Sequence, residues 1–188
     1  MIRLFDILIS FVGLIISLPI ILIILLFSFS EKGSFIFKQK RLGYKNKIFY
    51  LFKIRTMKIN TKNLPTHQLS EESFNNYGSF LRKTKIDELP QLFNVLKGEM
   101  SIVGPRPMPI ESKNMFNNLD FNRHEVKPGM TGLSQVNYAG KKRTLKEKLD
   151  HDKNYIKKYN TLLYLYVICK TPKILIKRFL LNKTANTL

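Results

Sequence analysis

ILISFVGLIISLPIILIILLFSF, Ile7 to Phe29, runs for 23 residues without a charged side chain. At ~1.5 Å per residue, a helix of that length crosses a ~30 Å hydrocarbon core. Pro19 sits in its middle, where it removes one helical hydrogen bond and its ring crowds the preceding turn. Ser17 stands nearby, placed to satisfy a freed backbone group. After residue 30 the chain is polar enough to form a folded domain, so its chemistry is expected at a membrane surface.

The segment does not read as a signal peptide. It is too long for the usual apolar core, and Phe29-Ser30-Glu31-Lys32 is a poor cleavage site. Arg3 precedes it, and Lys32, Lys38, Lys40 and Arg41 follow it closely. Basic residues on both flanks do not choose an orientation. A spanning helix and a re-entrant helix broken at Pro19, with both ends on one side, both fit. The division expected is a membrane helix over 1–30 and one modest domain over 31–188.

The chain carries 32 Lys+Arg against 13 Asp+Glu, a formal charge of +19. That balance attracts polyanions: anionic lipid headgroups, phosphorylated substrates or nucleic acid. The single cysteine, Cys169, excludes an intramolecular disulfide, and its apolar setting (LLYLYVICK) suggests a buried structural thiol.

In SFIFKQKRLGYKNKIFYLFKIRTM, Phe35, Phe37, Ile48, Tyr50, Phe52 and Ile54 fall at period two around a Gly43–Asn46 turn. The pattern predicts a β-hairpin with a basic face. Residues 59–79 read as a loop with a short helix. Ile86, Leu89, Phe93 and Leu96 keep helical spacing and stop at Gly98. With Asp87 as N-cap, Pro90 falls in the first turn, where its missing N–H costs nothing. Residues 144–160 read as a charged surface helix. Pro172 is expected to open a last helix with one basic and one apolar side, suited to a membrane interface.

Three groups could carry chemistry. Asp87 and Glu88 are adjacent carboxylates, which the N-terminus of a helix would keep ionised and which could hold a divalent cation. Arg82, Lys83 and Lys85 precede them and offset their repulsion. Alone, the pair reads equally as a plain cap with a first-turn glutamate. Arg106 is flanked by Pro105 and Pro107, which restrict the backbone and suit a fixed guanidinium to phosphate. Lys53, Arg55 and Lys58, with Lys38, Lys40 and Arg41, make a basic strand set. His124 and Asp150-His151-Asp152 lack the softer ligands of a metal site and read as a solvated helix face.

KQKRLGYKNKIFYLFKIRTM, then GSFLRKTKIDELPQLFNVLKGEMSIVGPRP, then HEVKPGMTGLSQVN, together with the N-terminal segment, resemble the small monotopic polyprenol-phosphate phosphoglycosyl transferases, a bacterial sugar transferase family. The resemblance implies an α/β fold, mostly helical. Its parts would be a re-entrant membrane helix broken near Pro19, a small hairpin and interfacial amphipathic helices. It implies transfer of a sugar-1-phosphate from a UDP-sugar to undecaprenyl phosphate with release of UMP. Asp87 would be the nucleophile and a Mg²⁺ ligand, and Glu88 would support it. Arg82, Arg106, Lys53 and Arg55 would bind substrate, with Pro105 and Pro107 framing Arg106. The implied setting is the cytoplasmic face of the bacterial inner membrane, with no nucleic-acid partner; a homodimer stays open. Leu18 stands where the family's serine precedes the proline, and Tyr164-Leu165-Tyr166 where Asp-Leu-Lys is common. The competing reading is a membrane-tethered basic module for anionic lipid or nucleic acid.

Overall fold

A computed structural model describes residues 1–28, 33–59, 61, 73–75, 77–111, 121–137 and 144–184, with side chains up to Lys177. Most of the polar stretch over 59–79 and the AGKKR loop lie outside the described residues.

The described chain is mostly helical around two small sheets. Helix α1 is Ile2–Phe27. Strands β1 (Ile36–Leu42) and β2 (Ile48–Ile54) form the expected antiparallel hairpin, paired from Ile36↔Ile54 to Leu42↔Ile48. Helices α2 (Gly78–Thr84) and α3 (Gln91–Lys97) follow. Next come β3 (Ser101–Val103) and the short β4 (Met108–Pro109), which adds to β1. Strand β5 (Gly129–Thr131) pairs in parallel with β3. Three helices close the chain: α4 (Leu133–Val136), α5 (Leu145–Lys157) and α6 (Thr161–Thr184).

Helix α1 inverts the usual amphipathic logic. Its buried residues are Asp6, Ser10 and Ser17, while Leu4, Leu8, Phe11, Ile15 and Ile16 are exposed. Arg3, Asp6, Ser10, Gly13 and Ser17 follow the three-and-four spacing of one helix face. That face meets the domain, flanked by Ile2, Phe5, Ile9 and Leu14 against the core, and most of the other apolar side chains face outward. Arg3 donates to Val95 O (2.6 Å) and Leu96 O (2.7 Å), carbonyls in the last turn of α3. One oxygen of Asp6 accepts from Ser101 Oγ (2.8 Å), Ile102 N (2.8 Å) and Tyr164 O–H (2.7 Å). Tyr164 thus ties α6 to α1. Among the described residues α1 is the one helix long and apolar enough to cross a membrane. Pro19 lies inside it without ending it. Ser17 donates to Leu14 O (3.1 Å), one residue before Ile15, whose carbonyl loses its partner at Pro19.

Several expectations change phase. In β2 the buried residues are Phe49, Leu51 and Ile54, whereas Ile48 and Tyr50 are 59% and 49% exposed. Both alternating sets are apolar, so period two alone could not choose the face. Packing chooses it: Phe49 and Leu51 join Leu92, Val95, Met100 and Val103 in the core. Asn94 of α3 fastens the free edge of β2, accepting from Phe52 N (3.1 Å) and donating to Tyr50 O (2.7 Å). In α3 the buried apolar residues are Leu92 and Val95, and Phe93 is exposed. The helix does stop at Gly98, whose φ of 82° is the left-handed end signal. Pro172 lies within α6 and does not open it, and Cys169 is exposed. Helix α5 is capped as a charged helix should be, by reciprocal Thr144–Glu147 bonds, yet it buries Asp152 and Tyr155.

Candidate active site

Asp87 and Glu88 are not an N-cap and first turn. Lys85 adopts a left-handed conformation (φ 65°), which ends α2 and opens a tight 3₁₀ turn over Ile86–Glu88. Pro90 caps α3 instead. The left-handed lysine reverses the chain and drives both carboxylates inward, to 4% and 8% exposure.

Glu88 Oε1 gathers three cations: Arg106 at 2.9 Å, Lys53 at 3.2 Å and Lys85 at 3.6 Å. Burial works against its charge, but Arg106, Lys53 and Lys85 overcome it and hold its carboxyl well below the usual range. Asp87 is the opposite case. Burial first, then the charge of Glu88, push its carboxyl up, against Lys53, Lys85 and Arg82. Its Oδ1 is buried with no hydrogen-bond partner. Burial also lowers the Lys53 ammonium, against the pull of Glu88. Two adjacent carboxylates have been pushed apart, one anchored as an anion and one raised.

Each basic residue arrives by its own route. Lys53 follows Phe49 and Leu51 in the inward phase of β2, so the phase that buries the core also aims the lysine at Glu88. Arg82, on α2, is held through Nε by Thr56 Oγ1 (3.0 Å) and lies over Phe74, and it acts on Asp87 through its charge. Arg106 lies between β3 and β4. Glu88 raises its guanidinium above the usual value. Pro105 and Pro107 are buried on either side of it. Gly104 and Gly129 pass so close that a Cβ on either would collide with backbone.

Arg55 does not join the cluster: its Nε donates to Ser34 O (2.7 Å) and its guanidinium lies over Phe37. Lys38, Lys40 and Lys58 are exposed. Among the described residues no group of three His, Cys, Asp or Glu could hold a metal. Asp152 is not a solvated helix residue; it forms a buried ion pair with Arg123 (2.6 Å).

Two hollows meet at the cluster. A cleft of about 360 Å³ runs from Lys85, Glu88 and Arg106 to Ile9 of α1 and Ile174 and Leu175 of α6. A second, of about 310 Å³, shares Lys85 and Arg106 and continues past Arg123 to Leu145, Lys148 and Leu149 of α5. Sequence reasoning missed Asp6, Arg123 and Asp152. Nothing in a run of neighbours marks them, since each partner is 17 or more positions away.

A buried carboxylate pair among cations, opening on an apolar cleft beside a helix long and apolar enough to cross a membrane, marks the chain as membrane-associated. Residues 1–178 match the family described as bacterial sugar transferase, and the chain belongs to it. It is 39% identical over 152 residues to a UDP-glucose:undecaprenyl-phosphate glucose-1-phosphate transferase of Xanthomonas campestris pv. campestris, covering 76% of this chain and 31% of that one. A protein of the same description from Klebsiella pneumoniae is 37% identical over 179 residues, 90% of this chain and 38% of that one. The exopolysaccharide production protein ExoY of Sinorhizobium fredii is 32% identical over 201 residues, 94% of this chain and 86% of that one. The chain thus spans about a third of the length of the first two relatives.

Proposed function

We propose that the protein transfers a sugar-1-phosphate from a UDP-sugar to undecaprenyl phosphate, releasing UMP. The observation that carries this is the buried Asp87, with one unpartnered oxygen, beside a Glu88 that gathers Arg106, Lys53 and Lys85. The names of its relatives support the same chemistry.

The reaction divides into two displacements at one phosphorus. A carboxylate oxygen of Asp87 attacks the β-phosphorus of the UDP-sugar; the bond from that phosphorus to the bridging oxygen breaks, and UMP leaves. The sugar phosphate is then held as an acyl phosphate on Asp87. A phosphate oxygen of undecaprenyl phosphate attacks the same phosphorus, the acyl bond breaks, and Asp87 returns as a carboxylate. Catalysis of this kind depends on placement and on neutralising phosphate charge. Arg106 and Arg82 are the donors for the phosphates, and Lys53 balances the charge beside both carboxylates. Glu88 holds Arg106 and Lys53 in place.

The unpartnered Oδ1 of Asp87 suits a Mg²⁺ ion, which binds through one or two carboxylates plus substrate phosphates. Bound there, Mg²⁺ would neutralise phosphate charge. The cleft from Glu88 to Ile9, Ile174 and Leu175 gives the lipid acceptor an apolar approach. In this reading α1 is re-entrant about Pro19, α6 lies at the interface, and the domain sits monotopically on the cytoplasmic face of the inner membrane.

The test is UMP release from a panel of UDP-sugars by the purified chain with Mg²⁺, with and without undecaprenyl phosphate. Lipid-dependent release with at least one sugar, abolished in Asp87→Asn at unchanged thermal midpoint, supports the proposal. Wild-type turnover in Asp87→Asn refutes the covalent route; silence of the folded wild-type chain with all donors refutes the reaction.

A further inference from the structure

The backbone that carries Arg106 is clamped at every carbonyl from Pro105 to Pro107. Pro105 O accepts from Gly129 N (2.9 Å), Arg106 O from Arg123 Nη2 (2.9 Å) and Pro107 O from Arg41 Nη1 (3.1 Å). Gly104 N donates to Thr131 O (2.9 Å). Two of the clamps are therefore arginine side chains, which grip the first and second peptides after a third arginine's Cα.

Arg123 is the better fixed of the two. Its Nε donates to Asp152 Oδ2 (2.7 Å), its Nη2 pairs with the same oxygen at 2.6 Å, and the two side chains are 7% and 6% exposed. A buried ion pair gives little stability over apolar residues of the same shape, because two charges must be stripped of water. Its presence here has a different use. An unpaired cation at this place would repel the Arg106 guanidinium. Neutralised by Asp152, Arg123 delivers a strong donor to Arg106 O with no net charge beside it.

We propose that Arg123, fixed by Asp152, is a positioning residue that sets where the Arg106 guanidinium stands relative to Glu88 and to the phosphate of the substrate. This rests on the phosphoryl-transfer reading above. Arg123 acts through the peptide of Arg106, and of these two guanidiniums it is that of Arg106 that meets Glu88.

The test replaces the pair by apolar residues, Arg123→Met with Asp152→Leu, in the full chain in lipid nanodiscs. Replacing a buried ion pair by apolar residues is often neutral or stabilising, which offsets the lost bond to Arg106 O, so the thermal midpoint should stay within a few degrees of the wild type. The kcat/KM for UMP release should drop roughly tenfold to a hundredfold, the usual effect of displacing a substrate-positioning group by about an ångström. In an Arg106→Lys background the same swap should cost less than about twofold, because the group it positions is gone. Equal losses in both backgrounds, or no loss in either, overturn the proposal. Should the double variant not fold, Arg123→Lys, which keeps a charge for Asp152, goes through the same cycle. If the wild-type chain releases no UMP from any donor, the reaction reading fails separately. The positioning role is then decided by ¹⁵N spectra of the arginine side chains, with the Arg106 signal identified by its loss in Arg106→Lys. A restrained Arg106 guanidinium that becomes rotationally averaged in the apolar pair supports positioning; an unchanged signal overturns it.

Discussion

Replacing Asp6 should undock the membrane helix from the domain, and the structure gives the size of the effect. One carboxylate oxygen accepts three hydrogen bonds, from Ser101 Oγ and Ile102 N at 2.8 Å and from Tyr164 O–H at 2.7 Å. Hydrogen bonds to a charged acceptor contribute about 1.5–3 kcal/mol each, without simple additivity. In Asp6→Ala the two hydroxyls can turn about their C–O bonds. The amide of Ile102 cannot, and an orphaned buried N–H costs about 1–3 kcal/mol by itself. The expected loss is about 3–5 kcal/mol for Asp6→Ala. For Asp6→Asn, which keeps an oxygen in place and loses only the charge, it is about 1–2 kcal/mol. Urea unfolding of the detergent-solubilised chain, followed by the near-ultraviolet signal of its tyrosines, measures both. Tyr164→Phe supplies the cycle: its cost, about 1 kcal/mol alone, should vanish in the Asp6→Ala background. A loss below about 1 kcal/mol in Asp6→Ala, or full additivity with Tyr164→Phe, would show that α1 is held by something other than this carboxylate.

Two further predictions concern pH. Glu88, held well below its ordinary 4.5, contributes stability that is present above pH 4.5 and is lost as pH falls through its folded value. Glu88→Gln should therefore be less stable by about 2–3 kcal/mol at neutral pH, the lower part of the range for a broken buried pair. Lys85 and Arg106, at 42% and 45% exposure, can turn to water, and Lys53 cannot. The gap to wild type should narrow as the buffer is taken below pH 4.5; a pH-independent gap contradicts the assignment. Asp87 is raised above 3.8 by burial and must be ionised to attack. In the metal-free chain the Asp87 carboxyl, followed by its ¹³C shift against pH, should accordingly titrate above 3.8, and a midpoint at or below 3.8 would refute it.

The signals that were legible before folding are local ones. An uncharged run of 23 residues announces a lipid-facing helix because length and polarity alone decide that match. Gly98 marks a helix end because caps are made within a few residues. The Gly43–Asn46 turn sets the hairpin for the same reason. Asp87, Glu88 and Arg106 stand out as residue types in a string that resembles a known family.

What tertiary structure alone decided is phase and partnership. The sequence of β2 offers two apolar faces, and only packing against α3 chose Phe49 and Leu51, turning Lys53 toward Glu88. Asp87 and Glu88 have the composition of a helix cap, but a left-handed Lys85 folds them into the interior, where their acidities diverge. Asp6 and Arg123 read as isolated charges, and Asp152 as part of a solvated helix face, until the chain brings each to a partner from 29 to 158 positions away. Hydrophobic length and capping are properties of neighbours along the chain. Burial of charge depends on which distant groups share a low-dielectric space, and no pattern of neighbours encodes that.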